Sequence, residues 1–196
     1  MATRDRVLTE AIGPDRGAAK IAKDILLVAL GIAALAAFAK IKVPMWPVPI
    51  TMGTFAVLTI GAAYGPRLGL TTILGYMIVG ALGFDVFAGS SAEAYGVTYM
   101  MGGTGGYLVG YVLAVLALGW AARQGWDRSF GRMAGAMILG NLLIYVPGLL
   151  WLGQLYGWDQ PILQWGLTPF LIGDALKLGL AALLFPAVWK LLNARG

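Results

Sequence analysis

The sequence contains no cysteine and no histidine, and charged residues make up only 12% of its 196 positions. Without cysteine there are no disulfide bonds and no thiolate chemistry, and without histidine there is no imidazole acid–base catalysis. Only one acidic residue, Asp174, lies well inside an apolar segment, so neither a catalytic carboxylate pair nor an acidic metal-binding cluster is available there. We therefore expect no metal, no cofactor, no catalytic residue and no enzymatic activity.

Apolar residues are abundant instead. They make up 59% of the chain, against about 45–50% in soluble domains, where about 25% of residues are charged. The net charge of +5 is distributed in small groups between apolar segments, which is typical of topology signals and not of a nucleic-acid-binding surface. The composition predicts an all-α integral membrane protein with a single membrane domain.

Six apolar segments predict six transmembrane helices, at residues 25–39, 50–64, 68–84, 99–122, 133–153 and 168–192. Three prolines between residues 44 and 49 interrupt the chain after the first segment, because proline cannot continue a regular helix. Gly65-Pro66-Arg67 predicts a tight turn between the second and third segments. Residues 1–20 are polar and predict a short cytoplasmic tail, followed by the six-span domain at 21–196.

The distribution of lysine and arginine predicts the orientation. With the N-terminus inside, eleven of these residues fall on the inner side, some of them in the charged connection from Arg123 to Arg132, and only Lys40 and Lys42 fall outside. Positive residues concentrate on the cytoplasmic side of membrane proteins, so both termini are expected in the cytoplasm. The irregular proline- and glycine-rich segments then gather on the outer side, where such backbone is tolerated next to a cavity. We expect a site that opens outward.

Asp174 and Lys177 are the only charges between residues 161 and 189. Three residues apart on a helix, they share one face and can touch. Ionisable residues at membrane depth are costly and usually face a cavity and a partner. The pair is therefore either a structural ion pair between helices or part of a polar ligand site.

Other candidates also have two interpretations. The run Gly102 to Tyr107 is either a flexible loop or a backbone that approaches a ligand closely. Asn141 and Tyr145, one helical turn apart, either bond to another helix or line a pocket. The small residues of the first helix, which include Ala29 and Ala33, either pack internally or dock a partner subunit.

Four motifs occur in order: residues 40–51 (KIKVPMWPVPIT), 83–89 (GFDVFAG), 103–111 (GTGGYLVGY) and Gly173-Asp174 followed by Lys177. Together they resemble the BioY family, the biotin-binding subunits (S components) of energy-coupling-factor (ECF) transporters. The resemblance covers nearly everything after the N-terminal tail. It implies an S-component-like bundle in the bacterial cytoplasmic (inner) membrane that captures biotin. The implied partners are a transmembrane coupling subunit (T component) and a pair of ABC-type ATPase subunits.

The resemblance assigns Ala29 and Ala33 to docking of the coupling subunit. Its pattern and the arguments above give this set of expected substrate-binding residues: Asp174, Lys177, Asn141, Tyr145, Gly103, Thr104, Gly105, Gly106, Tyr107, Phe87, Gly89 and Ser90. A buried carboxylate is a good acceptor for the ureido N–H groups of biotin. For the biotin carboxylate, Lys42, Lys177 and backbone amides are the candidates. Another vitamin, such as thiamine or riboflavin, is the alternative substrate.

Overall fold

The computed structural model of the chain describes residues 6–89 and 94–194 and is almost entirely helical over these ranges. Short 3-10 helices lie at Trp126–Arg128 and Thr168–Phe170. The helices of the described residues are α1 (Leu8–Ala11), α2 (Gly17–Lys40), α3 (Gly53–Ala81), α4 (Gly96–Met100), α5 (Gly105–Arg123), α6 (Phe130–Tyr156), α7 (Ile162–Gly166) and α8 (Leu171–Asn193).

Helix α3 is divided by a kink at Gly65, whose φ of 76° and ψ of 177° are not helical. Glycine adopts this positive φ without the steric penalty of a side chain, and Pro66 begins the next helical stretch, as proline does at a first helical turn. A Cβ atom on Gly69 would lie 3.6 Å from the Cα of Gly61. The two halves of α3 therefore lie side by side, and the turn predicted at Gly65-Pro66-Arg67 is confirmed.

The second predicted helix begins later than expected. Residues Ile50–Thr51 form strand β2, which pairs antiparallel with β1 (Lys42–Val43), and the helix starts only at Gly53. The intervening prolines lie in the connection of this hairpin. The prediction of a helix from residue 50 was wrong because the two residues before the helix pair with another strand.

The fourth predicted helix, 99–122, was also wrong in its bounds, since the structure divides it into α4 and α5. Glycine is a weak helix former, and Gly102 and Gly103 lie at the division. The indole of Trp151 on α6 donates to the Gly102 carbonyl oxygen at 2.8 Å, which gives this carbonyl a partner outside a helix.

The core lies between α3, α5 and α6, while α2 packs mainly on α3 and α8 mainly on α6. Close approach depends on glycine: a Cβ atom on Gly110 would lie 2.6 Å from Ile144 Cα, and one on Gly119 would lie 2.4 Å from Pro66 N. Four helical segments of the described chain are long and apolar enough to cross a membrane, at Gly17–Lys40, Gly105–Arg123, Phe130–Tyr156 and Ile162–Asn193. The two halves of α3 are each shorter.

Candidate ligand-binding site

A buried ion pair lies near the start of α8. Lys177 Nζ is 3.0 Å from Asp174 Oδ1, and the two side chains are 8% and 6% exposed. The ammonium also donates to the Thr51 carbonyl oxygen at 2.8 Å and to the Thr54 hydroxyl at 3.0 Å. The Tyr145 hydroxyl donates to the second carboxylate oxygen of Asp174. Both charges therefore have several partners, the condition under which a buried ion pair is tolerated.

Separate elements bring these groups together. Asp174 and Lys177 lie on one face of α8 because they are three residues apart, and Tyr145 lies on α6. Thr51 ends β2 and Thr54 is in the first turn of α3. All three protons of the lysine ammonium have acceptors within the protein, so Lys177 is held in place by the fold itself.

A cavity lies beside this network, and we name it the inner cavity. It encloses about 450 Å³ of empty space, its open mouth included. The residues that line it are mostly apolar or hydroxyl-bearing: Val48, Pro49, Thr51, Thr54, Ala88, Thr104, Tyr107, Leu108, Tyr111, Tyr145 and Phe170.

A second cavity, the outer cavity, shares Pro49 and Thr104 with the inner one and encloses about 850 Å³ of empty space, its open mouth included. Lys42 lines it and donates to the carbonyl oxygen of Ala88. Trp46, which also lines it, packs edge-on against Trp165 with ring centroids 5.1 Å apart. The two cavities are therefore neighbours: Lys42 and Trp46 line the outer one, and threonines and tyrosines make up about half of the residues that line the inner one.

The glycine-rich segment contributes to both cavities through part of its length. Gly103 and Thr104 line the outer cavity, and Thr104 and Tyr107 line the inner one. Gly105 and Gly106 line neither; a Cβ atom on Gly106 would lie 2.3 Å from Pro147 O, and one on Gly105 would lie 3.0 Å from Trp151 Nε1. These two glycines have a packing role against α6.

Two lysines, Lys40 and Lys42, donate hydrogen bonds to the described part of the segment between α3 and α4. Lys40 donates to the Phe87 carbonyl oxygen at 2.8 Å. The Phe87 ring is buried and stacks on Tyr99 with centroids 5.0 Å apart, so its side chain supports the site without lining either cavity. Gly89 lines the outer cavity and donates to the Tyr99 hydroxyl at 3.2 Å. Ser90, the remaining candidate here, lies outside the described residues.

Asn141 is separated from the other candidates. It lines neither cavity, and its carboxamide oxygen is buried without a hydrogen-bond partner among the described residues. Tyr145, one turn further along α6, lines the inner cavity and contacts Asp174. The structure thus brings only one residue of this predicted couple to the cavity.

Ala29 and Ala33 lie far from the site, on the exposed side of α2. Ile25, one turn earlier, is 65% exposed, and Ala37, one turn later, is also exposed. These residues recur every four positions and form one face of the helix. Internal packing does not use this face in the described chain.

Sequence reasoning missed several residues that contact the network or the inner cavity. Thr54 receives a hydrogen bond from Lys177 although the two are 123 residues apart, and no sequence spacing indicates such a pair. Tyr111 lines the inner cavity and was noted only as the end of a glycine-rich motif. Its position on α5, one turn after Tyr107, is the signal that would have placed both tyrosines on one face.

A second cluster of buried groups lies at the other end of α8. Asp127 is fully buried and accepts a hydrogen bond from the indole of Trp189 at 2.6 Å, while the Arg128 guanidinium lies 4.2 Å from the centre of the Trp189 ring. Burial raises the pKa of Asp127 to about 6, against the opposing effects of the Trp189 hydrogen bond and the Arg128 charge. Val7, also fully buried, packs nearby at the Gly65 kink.

Comparison with known proteins gives consistent matches. The model of the BioY family matches residues 8–194. A probable biotin transporter BioY of Pyrococcus horikoshii is 36% identical over 163 residues, which cover 83% of this chain and 94% of that protein. The biotin transporter BioY of Rhizobium etli is 29% identical over 205 residues and covers 100% of both chains.

Among solved structures, the S-component for biotin from an ECF-type ABC transporter superposes with a TM-score of 0.72 at 20% sequence identity, covering 90% of this chain and 95% of that chain. This likeness shows that the fold is that of an S component. The named relatives are transporters, which confirms the prediction that the chain is a transport protein and not an enzyme. With a family model that matches nearly its whole length, the chain belongs to the BioY family.

Proposed function

We propose that this chain captures biotin and serves in its uptake across the cytoplasmic membrane as the substrate-binding subunit of an ECF-type transporter. The observation that carries the proposal is the pair of neighbouring cavities, the inner one lined by threonines, tyrosines and apolar residues and the outer one lined by Lys42 and Trp46. Biotin has a matching distribution of polar groups: a ureido ring at one end, an apolar bicycle, and a valerate chain that ends in a carboxylate.

The bonding of the two lysines supports one orientation of the ligand. Lys177 already donates to three acceptors within the protein, so it would have to give up a bond to receive a carboxylate. Lys42 donates to the Ala88 carbonyl oxygen and to no other acceptor among the described residues, and an ammonium has three protons. We therefore assign the biotin carboxylate to Lys42 in the outer cavity and the ureido ring to the inner cavity, with Asp174 and Lys177 fixing Tyr145 and Thr54 around it.

The proposal includes six spans with both termini in the cytoplasm. Two of the spans are the halves of α3, which lie side by side across the Gly65 kink. Arg6, Lys20, Lys23, Arg67 and Arg123 line one cleft at the end where the N-terminal segment packs, whereas Lys40 and Lys42 contact the α3–α4 segment beside the outer cavity. A basic cytoplasmic end and a site that opens outward follow from the positive-inside tendency.

Residues 1–20 would then be cytoplasmic and residues 21–196 the membrane domain, in the bacterial inner membrane. The exposed α2 face that contains Ala29 and Ala33 is the proposed contact with a transmembrane coupling subunit, which in turn would join a pair of ATPases. Small residues allow helices to approach closely in a membrane. Co-purification of the coupling subunit with the wild-type chain, and its loss with Ala33→Trp, would support this contact.

Titration of the purified protein with biotin tests the function. Saturable binding at micromolar biotin or below is expected, and thiamine and riboflavin are not expected to compete. Asp174→Asn should weaken biotin binding by about 1.5–3 kcal/mol, the range for hydrogen bonds that involve charged groups. Absence of saturable binding by the wild-type protein would rule out biotin capture, and undiminished affinity in Asp174→Asn would remove Asp174 from the site.

A further inference from the structure

The hydroxyl groups of the inner cavity differ in what they can offer a ligand. The Tyr107 hydroxyl donates its proton to the Gly166 carbonyl oxygen at 2.8 Å, and the Tyr145 hydroxyl donates to Asp174. A phenolic hydroxyl has one proton and also accepts through its oxygen. With their protons already used, Tyr107 and Tyr145 can act towards a ligand only as hydrogen-bond acceptors.

Tyr111 is different. It lines the inner cavity, and no hydrogen bond links its hydroxyl to another group of the described chain. Its proton is therefore available to a ligand. Thr104 also lines the cavity without a side-chain hydrogen bond to the described residues, but it lines the outer cavity as well, whereas Tyr111 lines only the inner one.

The surroundings of the Tyr111 hydroxyl favour an electron-rich ligand atom. A Cβ atom on Gly53 would lie 3.3 Å from this hydroxyl and 3.0 Å from Thr51 Oγ1, so the hydroxyl lies at the N-terminus of α3. The Lys177 ammonium donates to Thr51 and Thr54 at the same helix end. A helix N-terminus stabilises negative charge density, whereas the charge of Lys177 is already compensated by Asp174.

We propose that Tyr111 donates a hydrogen bond to the carbonyl oxygen of the bound ureido ring, while the oxygens of Tyr145 and Tyr107 accept from its N–H groups. This rests on the proposed capture of biotin and assigns to Tyr111 the recognition of one ligand atom. A cyclic urea carries two N–H donors flanking one carbonyl acceptor, so the donor and the two acceptors of the cavity complement it.

The experiment compares wild-type protein, Tyr111→Phe and Lys42→Met in titrations with biotin and with biotin methyl ester, whose carboxylate is neutralised. Tyr111→Phe should weaken the binding of both ligands by the same factor, about 3–10-fold, the range for one neutral hydrogen bond. Lys42→Met should weaken the binding of biotin more than that of the ester. Tyr64→Phe is the matched control, since its hydroxyl donates to Leu27 O at 3.0 Å and lines neither cavity, and its biotin affinity should equal that of the wild type.

A stability measurement separates ligand contact from folding. Tyr111→Phe removes a hydroxyl without an internal partner, so the unfolding temperature of the ligand-free protein should not fall, whereas Tyr145→Phe should lower it by removing a donor from Asp174. Unchanged biotin affinity in Tyr111→Phe would overturn the inference, as would a loss confined to biotin and absent for the ester, which would place the hydroxyl at the carboxylate. If the wild-type protein bound neither ligand, the proposed function itself would fail, and the inference with it.

Discussion

The two ends of α8 each hold a buried carboxylate, and the two carboxylates have different partners. Asp174 at one end receives hydrogen bonds from Lys177 and Tyr145. Asp127 contacts Trp189 at the other end, about 22 Å along the helix from Asp174 at 1.5 Å per residue. One oxygen of Asp127 is bonded to the Trp189 indole, and the other is buried without a hydrogen-bond partner among the described residues.

This difference shows that burial alone does not determine how a carboxylate contributes to the fold. Asp174 accepts hydrogen bonds from Lys177 and Tyr145, and Lys177 also donates to Thr51 and Thr54, which line the inner cavity. Burial disfavours the charged form of Asp127 and raises its pKa to about 6, because the Trp189 hydrogen bond and the Arg128 charge offset only part of this effect. The pKa of a buried carboxylate such as Asp127 therefore depends on which hydrogen-bond donors and charges the neighbouring elements supply.

The largest effect on stability is expected from removing Lys177, the lysine that is paired with Asp174 near the start of α8. Lys177→Met leaves Asp174 as an uncompensated buried charge and should destabilise the protein by about 3–5 kcal/mol. Thermal unfolding in detergent would measure the loss. Lys190→Met, an exposed lysine on the same helix, is the control and should change stability by less than about 0.5 kcal/mol.

The double variant Asp174→Leu with Lys177→Met removes both charges and should regain much of the stability lost in Lys177→Met. If the double variant were no more stable than the single one, an unpaired charge on Asp174 would not be the cause of the stability lost in Lys177→Met. Loss of folding in the single variant would favour a structural role for the pair, and loss of biotin binding in a stable variant would favour a role in the site.

An intermediate effect is expected at the other end, from Asp127→Asn. The pKa of Asp127 is higher in the folded protein than its ordinary value of 3.8, so protonation of Asp127 stabilises the fold. Wild-type stability should therefore fall as the pH rises from 3.8 to about 6, whereas the asparagine variant lacks this contribution. Between these two pH values, the stability of the wild type should fall by about 1–3 kcal/mol relative to that of Asp127→Asn, since a tenfold difference in proton affinity corresponds to about 1.4 kcal/mol.

Unfolding temperatures of both proteins between about pH 4 and pH 8 would test this. Asp159→Asn, at an exposed position, is the matched control for replacing one acid by its amide. A constant difference between wild type and Asp127→Asn across the whole pH range would show that Asp127 does not titrate in this window.

The smallest effect is expected from an exposed ion pair near the Asp127 end. Glu10 lies 2.6 Å from Arg123, with side chains 38% and 36% exposed. Glu10→Gln should cost at most about 1 kcal/mol, because water and salt screen such pairs. Chemical unfolding at low and high salt would measure it, and a loss as large as that of Lys177→Met would contradict the ordering by burial.

Local patterns predicted most of the helical segments and part of the site. The turn at Gly65 was predicted because glycine followed by proline is typical of turns. The Asp174–Lys177 contact was predicted because residues three apart share a helix face. The helix predicted from residue 50 failed because strand β1 competes for Ile50 and Thr51. The helix predicted from residue 99 failed because its glycines bend the chain and Trp151, far away in sequence, binds Gly102.

The sequence by itself determined the membrane class, the order of the helices, the family motifs and the presence of two charges on one helix face. These follow from composition and from spacing within one element. Only the tertiary structure decided that Lys177 donates hydrogen bonds to Thr51 and Thr54 and that the Tyr111 hydroxyl has no acceptor among the described residues. It also decided that Asp127, which lies in a charged connection between helices, is buried. Hydrogen-bond partners and access to water depend on which helices pack together, and no spacing along the chain specifies that.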